Sequence, residues 1–444
     1  MAVSSSSKIA DLDQRQSLGT TAAAIAAAGV VSVASSLPVV ATEAIRPFRV
    51  QVAEKALVDM RRRIKDARWP DRETVADESQ GVQLAAIQQI ARYWATQYDW
   101  RKIEARLNAL PQFITEIDGL DIHFIHVRSK HEKALPLIVT HGWPGSIIEQ
   151  LRIIDPLTNP TEHGGTAADA FHLVIPSIPG YGFSARPTTG GWETGRTARA
   201  WIVLMKRLGY ARFAAQGGDL GGGVVTAMGK LAPRELLGIH TNFPAVVPPD
   251  IAKALEAGHP PAPDLSADEK LAYQQLAVLF AKKRAYAALM GSRPQTLYGL
   301  ADSPVGLATW MLDHGDGYGQ PAAAIMSAAL GRTVNGHPAD GLTRDDVLDD
   351  ITLYWLTKTA VSSARFYWEN KLNLYNAANI SVPTAVSVFP GENYPAPRSW
   401  TERAYPKLIY FNNVEKGGHY AAWEQPALFS AELRAGLRSL RQST

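Results

Sequence analysis

The segment Gly217-Gly218-Asp219-Leu220-Gly221 sets a carboxylate among small residues where a strand-like run, RFAAQ, passes into a helical pattern, VVTAMGKLAP. A strand-to-helix turn this sharp tolerates only small residues flanking its apex, because a larger side chain would meet backbone. Gly217 and Gly221 meet that demand. The apex of such an elbow carries a nucleophile. A serine there attacks acyl carbon, whereas an aspartate displaces a leaving group from alkyl carbon and leaves an ester that water must then hydrolyse. Epoxides and alkyl halides are electrophiles of the matching kind. The competing reading of GGDLGGG is a glycine loop that cradles phosphate. That reading lacks the acidic residue expected at the end of a second strand, and the motif comes late in the sheet.

An ester on aspartate needs a base to activate water and an acid to orient that base. The chain supplies both in the order nucleophile, acid, histidine. Glu392 follows the strand-like Val388-Phe389-Pro390, and His419 stands in Gly417-Gly418-His419, a glycine-bearing loop before the last helical segment. Taken singly, Glu392 reads as a solvated loop carboxylate and His419 as a structural or exposed histidine. Chain order is what assigns them the orienting and base roles. The early loop HGWPGS, after the apolar run ALPLIVT, offers backbone N–H groups to developing negative charge. The expected donors are the amides of Trp143 and Leu220, with His141 bracing the loop rather than acting as a second base.

The elements that must position these groups follow from periodicity. ALPLIVT and FHLVIP are short continuous apolar runs, suited to strands buried on both faces of a parallel sheet. FITEIDGLDIHFIHVRS alternates, with Asp118-Gly119 as the turn of a hairpin. From Arg46 to Pro111 the pattern is amphipathic helix with Trp69, Trp94 and Trp100, and little strand. From about Pro244 to Tyr375 it is helix and proline-rich loop, including a run from Ser266 to Met290 opened by the capping-box-like Ser266-Ala267-Asp268-Glu269. Strand signals return at ISVPTAVSVFPGE and PKLIYFNNVEKGGHY, and PALFSAELRAGLRSL closes the chain as a helix. The expected class is α/β: a mostly parallel sheet of the α/β-hydrolase fold, with a helical lid inserted over the strand ends and a helical pre-domain before the sheet. The expected division is 45–112 pre-domain, 113–243 and 380–444 core, and 244–379 lid.

Composition bounds the function class. The chain has 444 residues, 46% hydrophobic and 20% charged, with 45 Lys+Arg against 42 Asp+Glu, a soluble globular balance that implies no nucleic-acid partner. The run Arg61-Arg62-Arg63 lies among apolar residues at helical spacing and reads as a solvated helix face. With no cysteine, disulfides, thiol catalysis and thiolate-bound metals are excluded. The proposed chemistry needs no cofactor or metal. Residues 1–44, polar with Lys8 and Arg15 and then Ala/Val-rich from about Thr20 to Val40, read as an export signal, so a periplasmic or extracellular location is expected. The alternative is an Ala-rich tail on a cytoplasmic protein. A stable membrane anchor is not expected, since Ser32, Ser35, Ser36 and Pro38 interrupt the run.

The ordered motifs HGWPGS, PSIPGYGFS, GGDLGGG, DSPVGL, SSARFYWEN, VPTAVSVFPGE and GGHYAAWEQP, with RWPD and YWATQYDWR ahead of them, give the chain a further likeness. It resembles the microsomal-type epoxide hydrolases, including the juvenile-hormone branch, over nearly everything from Arg46 onward. The resemblance implies Asp219 as nucleophile, His419 as base and Glu392 as its orienting acid. It also implies Tyr286, in KKRAYAALM, and Tyr367, in RFYWEN, as lid tyrosines that donate hydrogen bonds to the epoxide oxygen. One position departs from the family: Leu220 stands where tryptophan is usual, which preserves the amide and removes an aromatic surface from the pocket wall.

The expected reaction is hydrolysis of a small lipophilic epoxide to a vicinal diol through an aspartyl ester, with water the second substrate. The rival enzyme is a haloalkane or haloacid dehalogenase using the same Asp, His and acid. The rival of another class is a catalytically silent binding protein of this fold. Oligomeric state is left open, a homo-oligomer included.

Overall fold

The computed structural model describes residues 44–443 except 314–321, 332, 335–336, 339–340 and 372–378. The expected export signal lies outside the described residues but for its last position. Among the described residues no helix is long and apolar enough to cross a membrane, and no group of three or more His, Asp or Glu side chains is placed to hold a metal ion.

Among the described residues nine strands form the main sheet: β1 (Arg46–Pro47), β2 (Gln112–Ile117), β3 (Leu120–Val127), β4 (Leu135–Thr140), β5 (Phe171–Pro176), β6 (Phe213–Gly217), β7 (Leu236–Thr241), β10 (Thr384–Val388) and β11 (Leu408–Asn413). The intervening two-residue strands β8 (Thr333–Val334) and β9 (His337–Pro338) pair as a separate ribbon. The order across the sheet is β1-β2-β3-β5-β4-β6-β7-β10-β11. Pairing is antiparallel from β1 to β5 and parallel from β5 to β11. The β2–β3 hairpin turns at Asp118 and Gly119 with φ of +55° and +76°, the left-handed pair that its Asp-Gly sequence favours. Strands β5, β6, β7 and β10 are buried at every residue, as continuous apolar runs in a parallel sheet require. Strand β1 was not foreseen, because two residues, one of them proline, carry no alternation; it adds antiparallel to β2 through Arg46 and Pro47.

Before the sheet, α1 (Glu54–Lys65), α2 (Leu84–Thr96) and α3 (Trp100–Asn108) bury one stripe each, Leu57, Met60 and Ile64 in the case of α1. The arginine run on α1 is tied to carboxylates on its outer side: Arg62 and Arg63 both reach Asp59, and Arg63 also reaches Asp302. These helices grip the lid. The indole of Trp94 donates to Thr352 Oγ1 at 3.0 Å, and the hydroxyls of Tyr93 and Tyr98 donate to Asp345 and Asp349 at 2.7 and 2.8 Å.

Between β7 and β10 the described residues are mostly helix and loop, with the β8–β9 ribbon among them, and the segments that matter below are Ala267–Val278, Ala285–Ser292, Arg344–Thr357 and Ala360–Asn370. The capping box at Ser266 forms as its sequence suggests, each of Ser266 and Glu269 accepting from the other's backbone N–H. The helix expected from Ser266 to Met290 is instead interrupted by a π-helical turn, Leu279–Lys283, and by Arg284 at φ −101°, ψ 9°. An extra residue in a turn rotates everything after it by roughly 100°. Periodicity read straight through the run cannot register that rotation.

Candidate active site

Asp219 is the first residue of the helix that follows β6, and its φ of +48° puts it in the left-handed region where a non-glycine residue is strained. The turn closes so tightly that a Cβ on Gly217 would lie 2.2 Å from Gly221 O, and one on Gly221 would lie 2.1 Å from Thr140 O. Both neighbours are backbone and cannot swing away. Gly221→Ala is therefore expected to destabilise the fold by about 3 kcal/mol or more, seen as a lower thermal midpoint together with lost activity. A near wild-type midpoint would mean that the elbow can open.

The HGWPGS loop after β4 comes close to this turn. A Cβ on Gly142 would stand 2.4 Å from that of Asp219, and this close approach lets Trp143 N donate to Asp219 Oδ1 at 2.9 Å. The Leu220 amide also bears on the carboxylate. Burial works to raise the Asp219 pKa, but the His419 hydrogen bond and charge and the two amides outweigh it and hold the carboxyl below its ordinary value. The nucleophile is thus kept ionised. His141 sits beneath the loop, fully buried, its Nε2 accepting from Ile178 N at 3.1 Å, and burial drives its pKa down to about 4. A neutral, doubly anchored ring is a brace.

Gly391 and Gly418 form a β-bridge between the loops after β10 and β11, with Gly391 N donating to Gly417 O at 3.0 Å. Each is followed by one of the expected partners. Glu392 Oε1 and His419 Nδ1 consequently meet at 2.6 Å, and His419 Nε2 lies 3.4 Å from Asp219 Oδ2. The Asn393 amide donates to the same Glu392 oxygen at 2.7 Å. Burial pulls the imidazole pKa down, but the Glu392 charge, aided by Asp219, lifts it well above the ordinary histidine value. At rest the ring is an imidazolium between two carboxylates.

Over the carboxylate stand two lid phenols. Tyr286, on Ala285–Ser292, stacks on Trp143 with centroids 4.9 Å apart, and Tyr367, on Ala360–Asn370, meets Trp143 edge-on at 5.9 Å and Tyr286 at 6.0 Å. Desolvation first, then the charge of Asp219 for Tyr286 and the neighbouring phenol ahead of Asp219 for Tyr367, push both phenols above the ordinary tyrosine range, so both stay protonated. The two hydroxyls interact with each other, though not in good hydrogen-bonding geometry, and that of Tyr367 is buried. Leu220 contributes its amide, and its side chain is fully buried.

All seven residues expected from the sequence therefore converge: Asp219, His419, Glu392, Tyr286 and Tyr367 by side chain, Trp143 and Leu220 by amide. A group that sequence reasoning missed lies beside Asp219 and His419, where Glu149, Gln150, Gln216 and Asn242 help to line a cavity of about 20 Å³. The available signal was a charged residue inside the apolar run IIEQL directly after a glycine loop. A wider open groove of about 1460 Å³, between residues 179–192 and the outer side of Ala360–Asn370, is lined by none of Asp219, His419 or Glu392.

Sequence comparison agrees with this geometry. Residues 45–150 match the epoxide hydrolase N terminus family, and residues 136–272 match the alpha/beta hydrolase fold family. A Stigmatella aurantiaca protein assigned to the epoxide hydrolases is 50% identical over 89% of this chain and 86% of its own length. Epoxide hydrolase 1 of Sus scrofa is 34% identical over 90% of each chain. Among solved structures, the Aspergillus niger epoxide hydrolase superposes with a TM-score of 0.74 at 30% identity, covering 90% of this chain and 96% of that one. With an aspartate elbow, a bridged acid and histidine, two lid phenols and relatives of this closeness over nearly its whole length, the chain belongs to the epoxide hydrolase family of the α/β-hydrolase fold.

Proposed function

We propose that the protein hydrolyses a lipophilic epoxide to a vicinal diol in two steps, with Asp219 as nucleophile. Asp219 Oδ1 is held by the Trp143 amide, which leaves Oδ2 to attack an epoxide carbon. As the new C–O bond forms, the ring C–O bond breaks, and the departing alkoxide takes a hydrogen bond and then a proton from Tyr286 or Tyr367. The ester has no negative charge, so His419 loses one of the two carboxylates that raise its pKa and releases its proton, which restores the phenol that protonated the alkoxide. The neutral imidazole, oriented by Glu392, then takes a proton from water as the water oxygen bonds to Cγ of Asp219. Charge collects on Oδ1 at the Trp143 and Leu220 amides; the ester C–O bond breaks, the diol leaves with the proton returned from His419, and the proton left on the new Asp219 carboxyl passes to His419, which restores carboxylate and imidazolium.

The observation that carries this reading is the pair of protonated phenols, Tyr367 buried and Tyr286 half-buried, over an ionised aspartate. Alkoxides need such donors, and halides leave without being protonated. The aromatic surround of Trp143, Tyr286, Tyr367 and Phe243, the last meeting His419 edge-on at 5.8 Å, favours an apolar substrate. The Ala/Val-rich start of the chain supports export. A single turnover of a styrene-like or terpene-like epoxide in oxygen-18 water tests the mechanism. Label is expected in the Asp219 carboxylate alongside the diol; a diol with no label in Asp219 would mean direct attack by water and would remove Asp219 from the nucleophile role.

A further inference from the structure

The two-step reading leaves open where the second reactant, water, is held, and the cavity next to Asp219 and His419 answers in both size and chemistry. A cavity must offer about 10–15 Å³ to admit one water, which also needs two to four polar partners. This one offers about 20 Å³, with Asp219 and His419 on one wall and Glu149, Gln150 and Gln216 among the rest. Those three are buried, at 7%, 5% and 1% exposure, and the side-chain oxygens of Gln150 and Gln216 have no hydrogen-bond partner. The amide nitrogens of both glutamines are already engaged, that of Gln150 on Glu149 Oε1 at 2.8 Å and that of Gln216 on Asn242 Oδ1 at 2.9 Å. Their oxygens are therefore left as acceptors, and buried acceptors demand a donor.

Glu149 is the ionisable member of this wall that the triad does not use. It belongs to the 3₁₀ segment Ile147–Ile153, which follows HGWPGS directly and is capped by Ser146. Gly145 makes room for it: a Cβ there would lie 2.2 Å from Glu149 Oε2. The loop that supplies the oxyanion amide of Trp143 thus also delivers a carboxyl to the other side of the nucleophile.

We propose that this cavity seats the water that hydrolyses the Asp219 ester, and that Glu149 is the residue that positions it. The assignment rests on the two-step reading. A water that yields one proton to His419 needs an acceptor for the other, so that a lone pair faces Cγ of Asp219. Glu149 provides that acceptor, with the oxygens of Gln150 and Gln216 beside it. The charged and titratable groups facing Glu149 are His419 and Asp219 in the cavity, Asp350 on Arg344–Thr357, and the hydroxyls of Tyr354 and Tyr420. Burial, against the Gln150 hydrogen bond and the His419 charge, sets the Glu149 pKa at about 7. The ionised form is the better acceptor, so ester hydrolysis should quicken as pH rises through neutrality.

The test separates the half-reactions by rapid quench with intact-protein mass spectrometry, using styrene oxide as probe, on the full chain and on Glu149→Gln and Glu149→Leu. A misplacement of about 1 Å at a reacting centre costs up to about 100-fold. Ester formation is expected to stay within about twofold of wild type, while ester hydrolysis falls roughly 10-fold in the amide, which keeps an acceptor, and roughly 100-fold in the leucine variant. The pH profile of hydrolysis in Glu149→Gln should also lose one ionisation near neutrality. Because Glu149→Gln is isosteric, it keeps the test valid even if the leucine variant does not fold. Wild-type hydrolysis and an unchanged profile in Glu149→Gln would overturn the assignment, and so would equal slowing of both half-reactions, which a merely structural residue gives. Failure of the wild-type chain to form any ester would instead remove the two-step reading on which the assignment rests.

Discussion

His419→Gln should halt the enzyme after its first half-reaction. Ester formation needs Asp219 ionised and the phenols protonated, and neither condition depends on a basic imidazole. Hydrolysis does, because His419 is the group set to take the proton from water: Glu392 Oε1 is occupied by His419 Nδ1 at 2.6 Å, and Glu149 is assigned to hold the water's other hydrogen, not to remove it. General-base assistance contributes about 10²- to 10⁴-fold, so turnover is expected to fall by a factor in that range while one equivalent of substrate mass accumulates on Asp219. The charge states add a second readout. His419 has a folded pKa above its unfolded one, so its contribution to stability is complete below the unfolded value and is lost as pH rises through the raised folded value. Asp219 runs the other way: its lowered folded pKa gives stability that is present above the ordinary carboxyl value and is lost as pH falls through the lowered one. The pair is most stabilising between those limits, and the glutamine variant should flatten the alkaline side of a plot of thermal midpoint against pH. Lost turnover with no mass adduct would show that His419 acts before the ester forms, contrary to the roles assigned here.

The elbow was legible because its constraint is local and steric. Gly217 and Gly221 must be glycine to let backbone pass backbone, and that demand is written within five residues. The acid and histidine were legible through chain order, and the Gly391–Gly418 bridge supplies the physical reason why loops after two neighbouring strands bring Glu392 to His419. The lid tyrosines were named only by resemblance. Their meeting over Asp219 depends on how two helices far apart in sequence pack, and on a π-helical turn just before Tyr286 that helical periodicity cannot express. Glu149 stayed hidden for a related reason. A charged residue in the run IIEQL is only a weak hint of a buried carboxyl, because the room for it is made by the missing side chain of Gly145, which the run itself does not show. The grip of the pre-domain on the lid, through Trp94 and Thr352, is likewise tertiary. Sequence conveyed which chemistry was available, and packing determined which further groups attend it.

Replacing the phenols should separate this enzyme from its dehalogenating rival. Removing one preorganised donor to a developing oxyanion costs about 10²- to 10³-fold, so Tyr367→Phe and Tyr286→Phe should each slow ester formation from an epoxide by that order. The two rings are neighbours, 6.0 Å apart, and serve one oxygen, so their effects should not simply multiply: the surviving phenol covers part of the loss in either single variant, and the double variant should fall further than the better donor alone explains. Ester hydrolysis, which expels the diol on the His419 side, should change little. Stability gives an independent check. The Tyr367 hydroxyl is buried and meets the Tyr286 hydroxyl only in poor hydrogen-bonding geometry, so phenylalanine there removes little and should leave the thermal midpoint nearly unchanged. A variant that is as stable as wild type but about 100-fold slower with epoxides would be a loss of chemistry rather than of fold. Wild-type rates in Tyr367→Phe, or equal slowing with an alkyl halide whose leaving group needs no proton, would argue that the phenols only shape the pocket and that the leaving group is met by some other donor.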